Sequence, residues 1–203
     1  MKKVTAITLF LFAFSVFIYP DVAMAQNSVK FGFKGGVTVS NYLDIDPDPD
    51  SRIGTVFGGF AEINLESLPI AIQPEVIWIQ RGAEVEGQGQ AAFDSKVNVN
   101  YLDIDVLAKY KFDTNSPLKP NIFVGPYLGI DLNQATREAV EVVGSFQPEA
   151  KTDFGGVVGL GTDIEVLGAT FIIDARWNVG LSDAFDNASG KNSVFSFMGG
   201  IAF

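Results

Sequence analysis

The sequence has 203 residues but contains no cysteine and no histidine. Without cysteine, the chain can form neither disulfide bridges nor thiolate metal sites. Without histidine, it lacks the commonest general base and the commonest metal ligand, and with them the hydrolytic sites that combine His with Ser or Asp. We therefore predict no catalytic residue, no cofactor and no enzymatic activity.

Long hydrophobic runs are also missing from the body of the sequence. Hydrophobic residues make up 47% of the chain and the mean hydropathy is +0.23. No internal stretch, however, reaches the roughly 20 apolar residues that a spanning helix needs, so the apolar residues must be spread over many short segments. The formal net charge of −10 argues against a nucleic-acid partner, because phosphate contacts need clustered Lys and Arg.

The first residues have the pattern of a secretory signal. Two lysines precede an apolar stretch over residues 4–19, and Ala23 and Ala25 supply small residues at the two positions that a signal peptidase reads. The alternative interpretation is a membrane-anchor helix, but the segment is short for one. We predict a signal peptide over residues 1–25, with cleavage before Gln26.

Residues 26–203 alternate between apolar and polar side chains with the period of two that is typical of β-strands. In the last segment, Phe195 and Phe197 share one face, while Ser196 and Met198 share the other. The same pattern predicts eight strands, near 29–42, 53–65, 70–84, 97–112, 120–134, 152–166, 169–181 and 193–203. Prolines interrupt two of these segments at positions 74 and 126, where we expect local bulges.

The connections between the predicted strands alternate in length. Short connections cover residues 66–69, 113–119 and 167–168, and longer polar ones cover 43–52, 85–96, 136–151 and 182–192. Short turns at one end and long loops at the other are typical of a transmembrane barrel. The sequence therefore predicts an all-β fold, an eight-stranded antiparallel up-and-down barrel over residues 26–203, with both termini on the periplasmic side.

Alternation alone fits a soluble, lipocalin-like barrel as well as a membrane barrel, because the two differ only in which face points outward. Each of the eight segments carries a continuous apolar face, and the opposite face mixes charge with glycine. In the first segment that second face holds Lys30, Gly32, Lys34 and Gly36, which suit a narrow, crowded interior. We therefore favour the membrane barrel, with lipid outside and a polar lumen.

Several short motifs resemble the porin-family outer-membrane β-barrel domain. The matching stretches are Gly32-Phe33-Lys34-Gly35-Gly36, Gln73-Pro74-Glu75, Arg81-Gly82, Tyr101-Leu102 with Lys109-Tyr110-Lys111-Phe112, Gly125-Pro126-Tyr127, Asp153-Phe154-Gly155 with Gly159, and Asp174-Ala175-Arg176-Trp177-Asn178 with Gly180-Leu181. They run through nearly all of the mature chain in the family's order and spacing. One departure is Asp105, where the family often has proline. The resemblance implies the barrel fold and a location in the outer membrane, and it supplies no catalytic residues.

Charged residues on the inward face predict a polar network in the lumen. Its members are Lys34, Glu62, Glu75, Arg81, Asp103, Asp105, Lys109, Asp174 and Arg176. Because unpaired charge in an interior is costly, we expect ion pairs. The expected partners of Arg176 are Glu62, Glu75 or Asp174, and those of Lys109 are Asp103 or Asp105. The alternative is that these charges line a permeation path or a ligand site.

Alternating carboxylates in the first long loop are the one candidate for a metal site. Asp44, Asp46, Asp48 and Asp50 occupy every second position, a spacing similar to that of calcium loops. Counted from Asp44, the sixth and twelfth positions hold Pro49 and Thr55, where an EF-hand needs Gly and Glu. The segment therefore favours a solvated acidic loop, with calcium as the weaker alternative.

Two functions from different classes follow from these patterns. The first is a structural or interaction barrel that presents polar loops to an extracellular ligand or an envelope protein. The second is a narrow channel for small solutes. An eight-stranded barrel is about wide enough for its own side chains, which favours the first. We expect the outer-membrane lipid to be its main partner and the protein to be a monomer.

Overall fold

The computed structural model of the protein describes residues 29–43, 50–65, 68–85, 95–132, 152–182 and 191–203. They form eight β-strands: β1 (Val29–Leu43), β2 (Asp50–Asn64), β3 (Ile70–Val85), β4 (Ser95–Lys111), β5 (Leu118–Asp131), β6 (Asp153–Val166), β7 (Ala169–Gly180) and β8 (Lys191–Ala202). The predicted strand count is confirmed, and the predicted boundaries agree to within about three residues. Residues 1–28, which include the predicted signal peptide, lie outside the described part of the chain.

The eight strands close into one antiparallel barrel in which each strand pairs with its neighbours in sequence. The last strand returns to the first, with Phe33 opposite Ile201 and Val39 opposite Phe195. Backbone hydrogen bonds between Phe31 and Phe203, at 3.1 and 2.9 Å, extend this closure to the end of the chain. The ladder therefore has no free edge among the described strands, as a membrane-spanning barrel requires.

The two ends of the barrel differ in their connections. At the turn end, which also holds the last residue of the chain, β2 joins β3, β4 joins β5 and β6 joins β7 through short segments. At the loop end, the connections include residues 44–49, 86–94, 133–151 and 183–190, which lie outside the described residues. The tightest turn is Leu167-Gly168, where both residues have positive φ, 50° and 87°. A two-residue hairpin turn with positive φ at both residues has a backbone twist that matches the twist of the flanking strands. Glycine adopts a positive φ at little energetic cost.

The alternation along each strand separates an outer from an inner face. On β8, Val194, Ser196 and Met198 are buried, while Phe195 and Phe197 are 51% and 53% exposed. On β1, Phe33 is 71% exposed although both of its neighbours in sequence are buried. The apolar face therefore points out all around the wall, as the sequence predicts for a barrel in lipid. Among the described residues, no helix has the length and apolar character needed to cross a membrane.

The two internal prolines interrupt the hydrogen-bonded strand pairing without shifting its register. The prediction of bulges at these positions was therefore wrong. Pro74 pairs with Val106 on the β4 side, while the pairing with β2 is missing beside it, between Phe60 and Ile63, and resumes in the same register. Pro126 likewise keeps its partner on β6, and the gap lies on the β4 side. A proline lacks one donor, and that donor would serve one neighbouring strand only. The register shift that does occur lies between Ser51 and Val56 on β2.

Candidate functional site: the polar lumen

The inward faces bring the nine charged residues of the predicted network into the lumen. Each is at most 4% exposed: Lys34, Glu62, Glu75, Arg81, Asp103, Asp105, Lys109, Asp174 and Arg176. All nine occupy positions whose side chains point inward from their strands. Residues that are far apart in sequence therefore meet in the lumen. Together with Lys111, Asp153 and Asp163 they form three groups of ion pairs stacked along the barrel. We call these the lower, central and upper clusters, counted from the turn end.

The lower cluster joins two lysines of β4 to two carboxylates. The Lys109 ammonium donates to Glu62 Oε2 at 3.2 Å and to Asp163 Oδ1 at 2.8 Å. Lys111 pairs with Glu62 and lies 3.2 Å from Asp163 Oδ2. Asn121 Nδ2 also donates to Asp163 Oδ1, at 3.1 Å. The two charges of each sign therefore balance, with Lys111 the most exposed of the four at the turn end.

The central cluster spans the lumen from β1 to β4. The Lys34 ammonium donates to Glu75 Oε1 at 2.5 Å and to Asp174 Oδ2 at 3.1 Å. The Arg176 guanidinium donates through Nη1 to Glu75 Oε2 at 2.9 Å and to Asp105 Oδ2 at 3.1 Å. Glu75 therefore bridges the two cations. Because all five side chains are almost completely buried, each charge depends on these contacts for its compensation.

The upper cluster is built around Arg81. Its guanidinium pairs with Asp103 and donates to Asp153 Oδ2 at 2.7 Å. The same Asp153 oxygen accepts from the Tyr127 hydroxyl at 2.8 Å and from Asn192 Nδ2 at 2.9 Å. The guanidinium also lies 5.0 Å from the centre of the Tyr127 ring, within the range of a cation–π contact. These contacts tie β3, β4, β5, β6 and β8 together near the loop end.

Aromatic rings fill the space that the lumenal glycines leave. Phe123 lies opposite Gly159, Tyr127 opposite Gly155, and Phe60 opposite Gly32, each pair on neighbouring strands. In all three pairs a Cβ on the glycine would overlap the facing ring. The inward glycines of β6 therefore do not open the lumen on that side, since each gives room to a ring from β5 or to a neighbouring polar side chain. Leu107, Ile77 and Met198, each at most 1% exposed, add further apolar packing.

Two features of the network differ from the sequence-based expectation. Lys109 pairs with Glu62 and Asp163, so the expected pairing with Asp103 or Asp105 was wrong. Those carboxylates lie on the same strand as Lys109, and inward side chains on one strand point side by side across the lumen instead of toward each other. Asp153 was missing from the predicted network, although its alternation with the inward glycines of β6 was a signal for it. Of the partners expected for Arg176, Glu75 is the one it contacts.

The candidate calcium ligands cannot be placed as a group. Asp44, Asp46 and Asp48 lie outside the described residues, and Asp50 begins β2. Within the described ranges, no three His, Cys, Asp or Glu side chains are grouped so that they could hold a metal ion. The calcium interpretation of the first loop therefore remains a prediction.

The comparisons with known proteins agree with this architecture. Residues 24–186 match the model of the outer membrane protein beta-barrel domain. The fold is similar to the crystal structure of Neisserial surface protein A, with a TM-score of 0.58, 16% identity, and coverage of 88% of this chain and 99% of that one. It is also similar to the outer membrane protein OprG from Pseudomonas aeruginosa, with a TM-score of 0.54, 16% identity, and coverage of 88% and 97%. No curated protein matches the sequence.

The family match spans more than half of the chain, and the structure has a closed eight-stranded barrel. The outward apolar face and the inward charges are those of a barrel surrounded by lipid. The chain belongs to the outer membrane protein beta-barrel domain family and is a small barrel of the outer membrane.

Proposed function

We propose that this protein is a non-enzymatic outer-membrane anchor that presents its loops to partners outside the cell, while its lumen stays closed to solutes. The observation that carries the proposal is the filled interior. Cations and carboxylates from six strands are paired across the lumen, and aromatic rings fill the space beside the glycines. A barrel of eight strands has little space beyond that of its own side chains. The segments free to engage partners are therefore those at the loop end.

The composition of the loop-end connections suggests the chemistry of a partner. Residues 44–49, 86–94, 133–151 and 183–190 together contain ten Asp or Glu and two Lys or Arg. Such an excess of negative charge attracts cationic partners, and the attraction weakens with ionic strength. We propose a basic peptide or a basic surface of an envelope or extracellular protein as the partner, bound by a single copy of the barrel.

Two measurements test the proposal. The first is single-channel recording of the purified protein in planar bilayers, for which we expect no stable conductance. Steady openings of porin size would contradict the closed lumen. The second is binding of a decalysine peptide to the protein in detergent micelles, which should weaken when Asp44, Asp46 and Asp48 are changed to Asn. The matched control is Glu165→Gln at the turn end, where a similar loss of binding would contradict the role of the loops.

A narrow channel is the second candidate, and one feature of the turn end favours it. A polar recess of about 510 Å³ opens there, lined by residues that include Lys30, Lys111, Lys119 and Asp163. The recess reaches the lower cluster, so solutes could enter the barrel from the periplasm as far as Lys111. Beyond that point the paired side chains would have to separate. A conductance that appears in Lys109→Ala but not in the unchanged protein would favour a gated channel over a permanently closed barrel.

A further inference from the structure

The contacts of the three clusters almost form one continuous chain of hydrogen bonds through the barrel. From the turn end, Lys111 and Lys109 lead through Asp163 to Asn121. The central cluster continues from Asp174 through Lys34, Glu75 and Arg176 to Asp105. The upper cluster runs from Asp103 through Arg81 to Asp153. The chain is interrupted twice, between Asn121 and Asp174 and between Asp105 and Asp103.

The first interruption lies over Gly161. A Cβ at this position would be 3.1 Å from Asn121 Oδ1 and closer still to Asp174 Oδ1, so the two oxygens converge there. Asn121 and Asp174 are 2% and 1% exposed, and neither oxygen accepts a hydrogen bond from the described residues. Exchanging the oxygen and nitrogen of the Asn121 amide would not help, because its Nδ2 already donates to Asp163. Two buried acceptors therefore face one place that has no protein donor among the described groups.

The second interruption has the same character. Asp103 and Asp105 occupy consecutive inward positions on β4, both fully buried. Each uses Oδ2 in an ion pair, with Arg81 and Arg176 respectively, and each has an Oδ1 that accepts nothing from the described residues. Inward neighbours on a strand lie about 7 Å apart at their Cα atoms, so their side chains share one environment. Arg176 Nε and Nη2 also lack acceptors among the described residues.

We propose that each interruption is a binding site for one water molecule, which donates to the two acceptor oxygens and joins the clusters. A water that makes two hydrogen bonds of about 2.8 Å can connect acceptors up to about 5.6 Å apart. The charge balance of the clusters supports extra donors, since they contain seven carboxylates and only five cations. Leaving such buried acceptors unpaired would be costly, and buried waters commonly satisfy groups of this kind.

A water fits these places better than a metal cation. Beside the first site, the Lys34 ammonium binds the other oxygen of Asp174, and the Lys109 ammonium binds Asp163 next to Asn121. Beside the second, the Arg176 guanidinium binds Asp105. A cation would be repelled by these groups, whereas a water can donate to the carboxylates and also accept from the unpaired guanidinium N–H groups. The sites do not depend on whether the loops bind a partner.

The water sites make the lumen one network without making it a proton path. Any route from Asp174 to Asp105 along the contacts passes through Arg176, which does not release its proton in proteins. The waters therefore hold the clusters together, and the guanidinium groups stop proton transfer along them. This arrangement fits a barrel that is hydrated inside and closed to transport.

Water-edited solid-state NMR of the protein in lipid bilayers tests the sites directly, through magnetisation transfer from water to the Asn121 and Asp105 side-chain carboxamide and carboxyl carbons. We expect transfer to both in the unchanged protein. In Asp174→Asn, the new amide can donate to Asn121 itself, so transfer to Asn121 should fall at least severalfold while transfer to Asp105 stays. Glu165→Gln, which changes a turn-end carboxylate away from both sites, is the matched control and should change neither signal.

The outcomes separate the alternatives. Absence of water transfer to both carbons in the unchanged protein would overturn the proposal, as would a signal at Asn121 that depends on sodium or potassium. If Asp174→Asn does not fold, Asp103→Asn provides the same test at the second site, where it should reduce transfer to Asp105 only. Equal transfer in the folded variant and the unchanged protein would show that no bridging water occupies the site.

Discussion

The outer and inner faces of this barrel wall are built from the same strands but by different rules. On β6, Val158 points out and is 51% exposed, while its neighbour Val157 points in and is 1% exposed. An outer side chain needs only to be apolar, because lipid chains adapt to its shape. An inner side chain must match particular neighbours, because the lumen is filled by fixed partners. The inner face should therefore be much more sensitive to the identity of each residue.

The largest expected effect is on the inner face, in Arg176→Met. The change removes the ion pair of Asp105 and one of those of Glu75, leaving buried negative charge uncompensated. We expect a loss of about 3–5 kcal/mol in the free energy of unfolding, measured by urea titration of protein folded into lipid vesicles. The double variant Asp105→Leu/Arg176→Met should recover most of it. A double variant as unstable as the single one would argue against the pairing.

The next effect tests the outer face, in Val158→Arg. An arginine at mid-depth in the membrane should lower the free energy of unfolding by about 2–4 kcal/mol, because its guanidinium must leave water for lipid. Val166→Arg is the control on the same strand, at the turn end, where the cost should fall to about 0–1 kcal/mol. The same urea titration measures both. Equal costs at the two positions would mean that the outer face of β6 does not lie in lipid.

A smaller effect compares the two faces without adding charge, in Val157→Ala and Val158→Ala. Val157→Ala leaves a cavity next to packed side chains such as Leu107 and Phe123. It should lower the free energy of unfolding by about 1–3 kcal/mol. The outer change should cost less, because lipid can fill the space. If the two variants have the same unfolding free energy, the inner face is not packed as tightly as its burial indicates.

The smallest effect lies outside both faces, at the turn end. A hydrogen bond from Lys119, at 2.8 Å, together with the charge of that lysine, lowers the pKa of the exposed Asp113 carboxyl. Because the pKa of Asp113 is lower in the folded than in the unfolded state, its ionised carboxylate stabilises the fold at pH values above the unfolded-state pKa. This contribution is lost as the pH falls through the folded-state pKa. Solvent screens the pair, so Asp113→Asn should leave the urea midpoint at pH 7 unchanged. A clear drop would show that the turn end contributes to stability.

Much of the candidate site could be predicted because parity on a strand is a local property. Once Asp103, Asp105 and Lys109 were assigned to the inward face of β4, their side chains were expected to be buried. In the structure all three are buried. The partner of each charge could not be predicted in the same way. It depends on how far each side chain reaches across the lumen and on the stagger between strands. The contacts of Lys109 with Glu62 and Asp163 join residues 47 and 54 positions apart in sequence.

The sequence by itself determined the number of strands, the face that meets lipid and the ends that carry turns or loops. These features depend on the period-two pattern, on the composition of the two faces of each strand and on the spacing of polar segments, all of which are local properties of the chain. Only the closed barrel decided that a ring would cover Gly159, that Glu75 would join Lys34 to Arg176, and that acceptor oxygens would meet over Gly161. The physical reason is that closure fixes which inward side chains share the same space, and no local pattern contains that information.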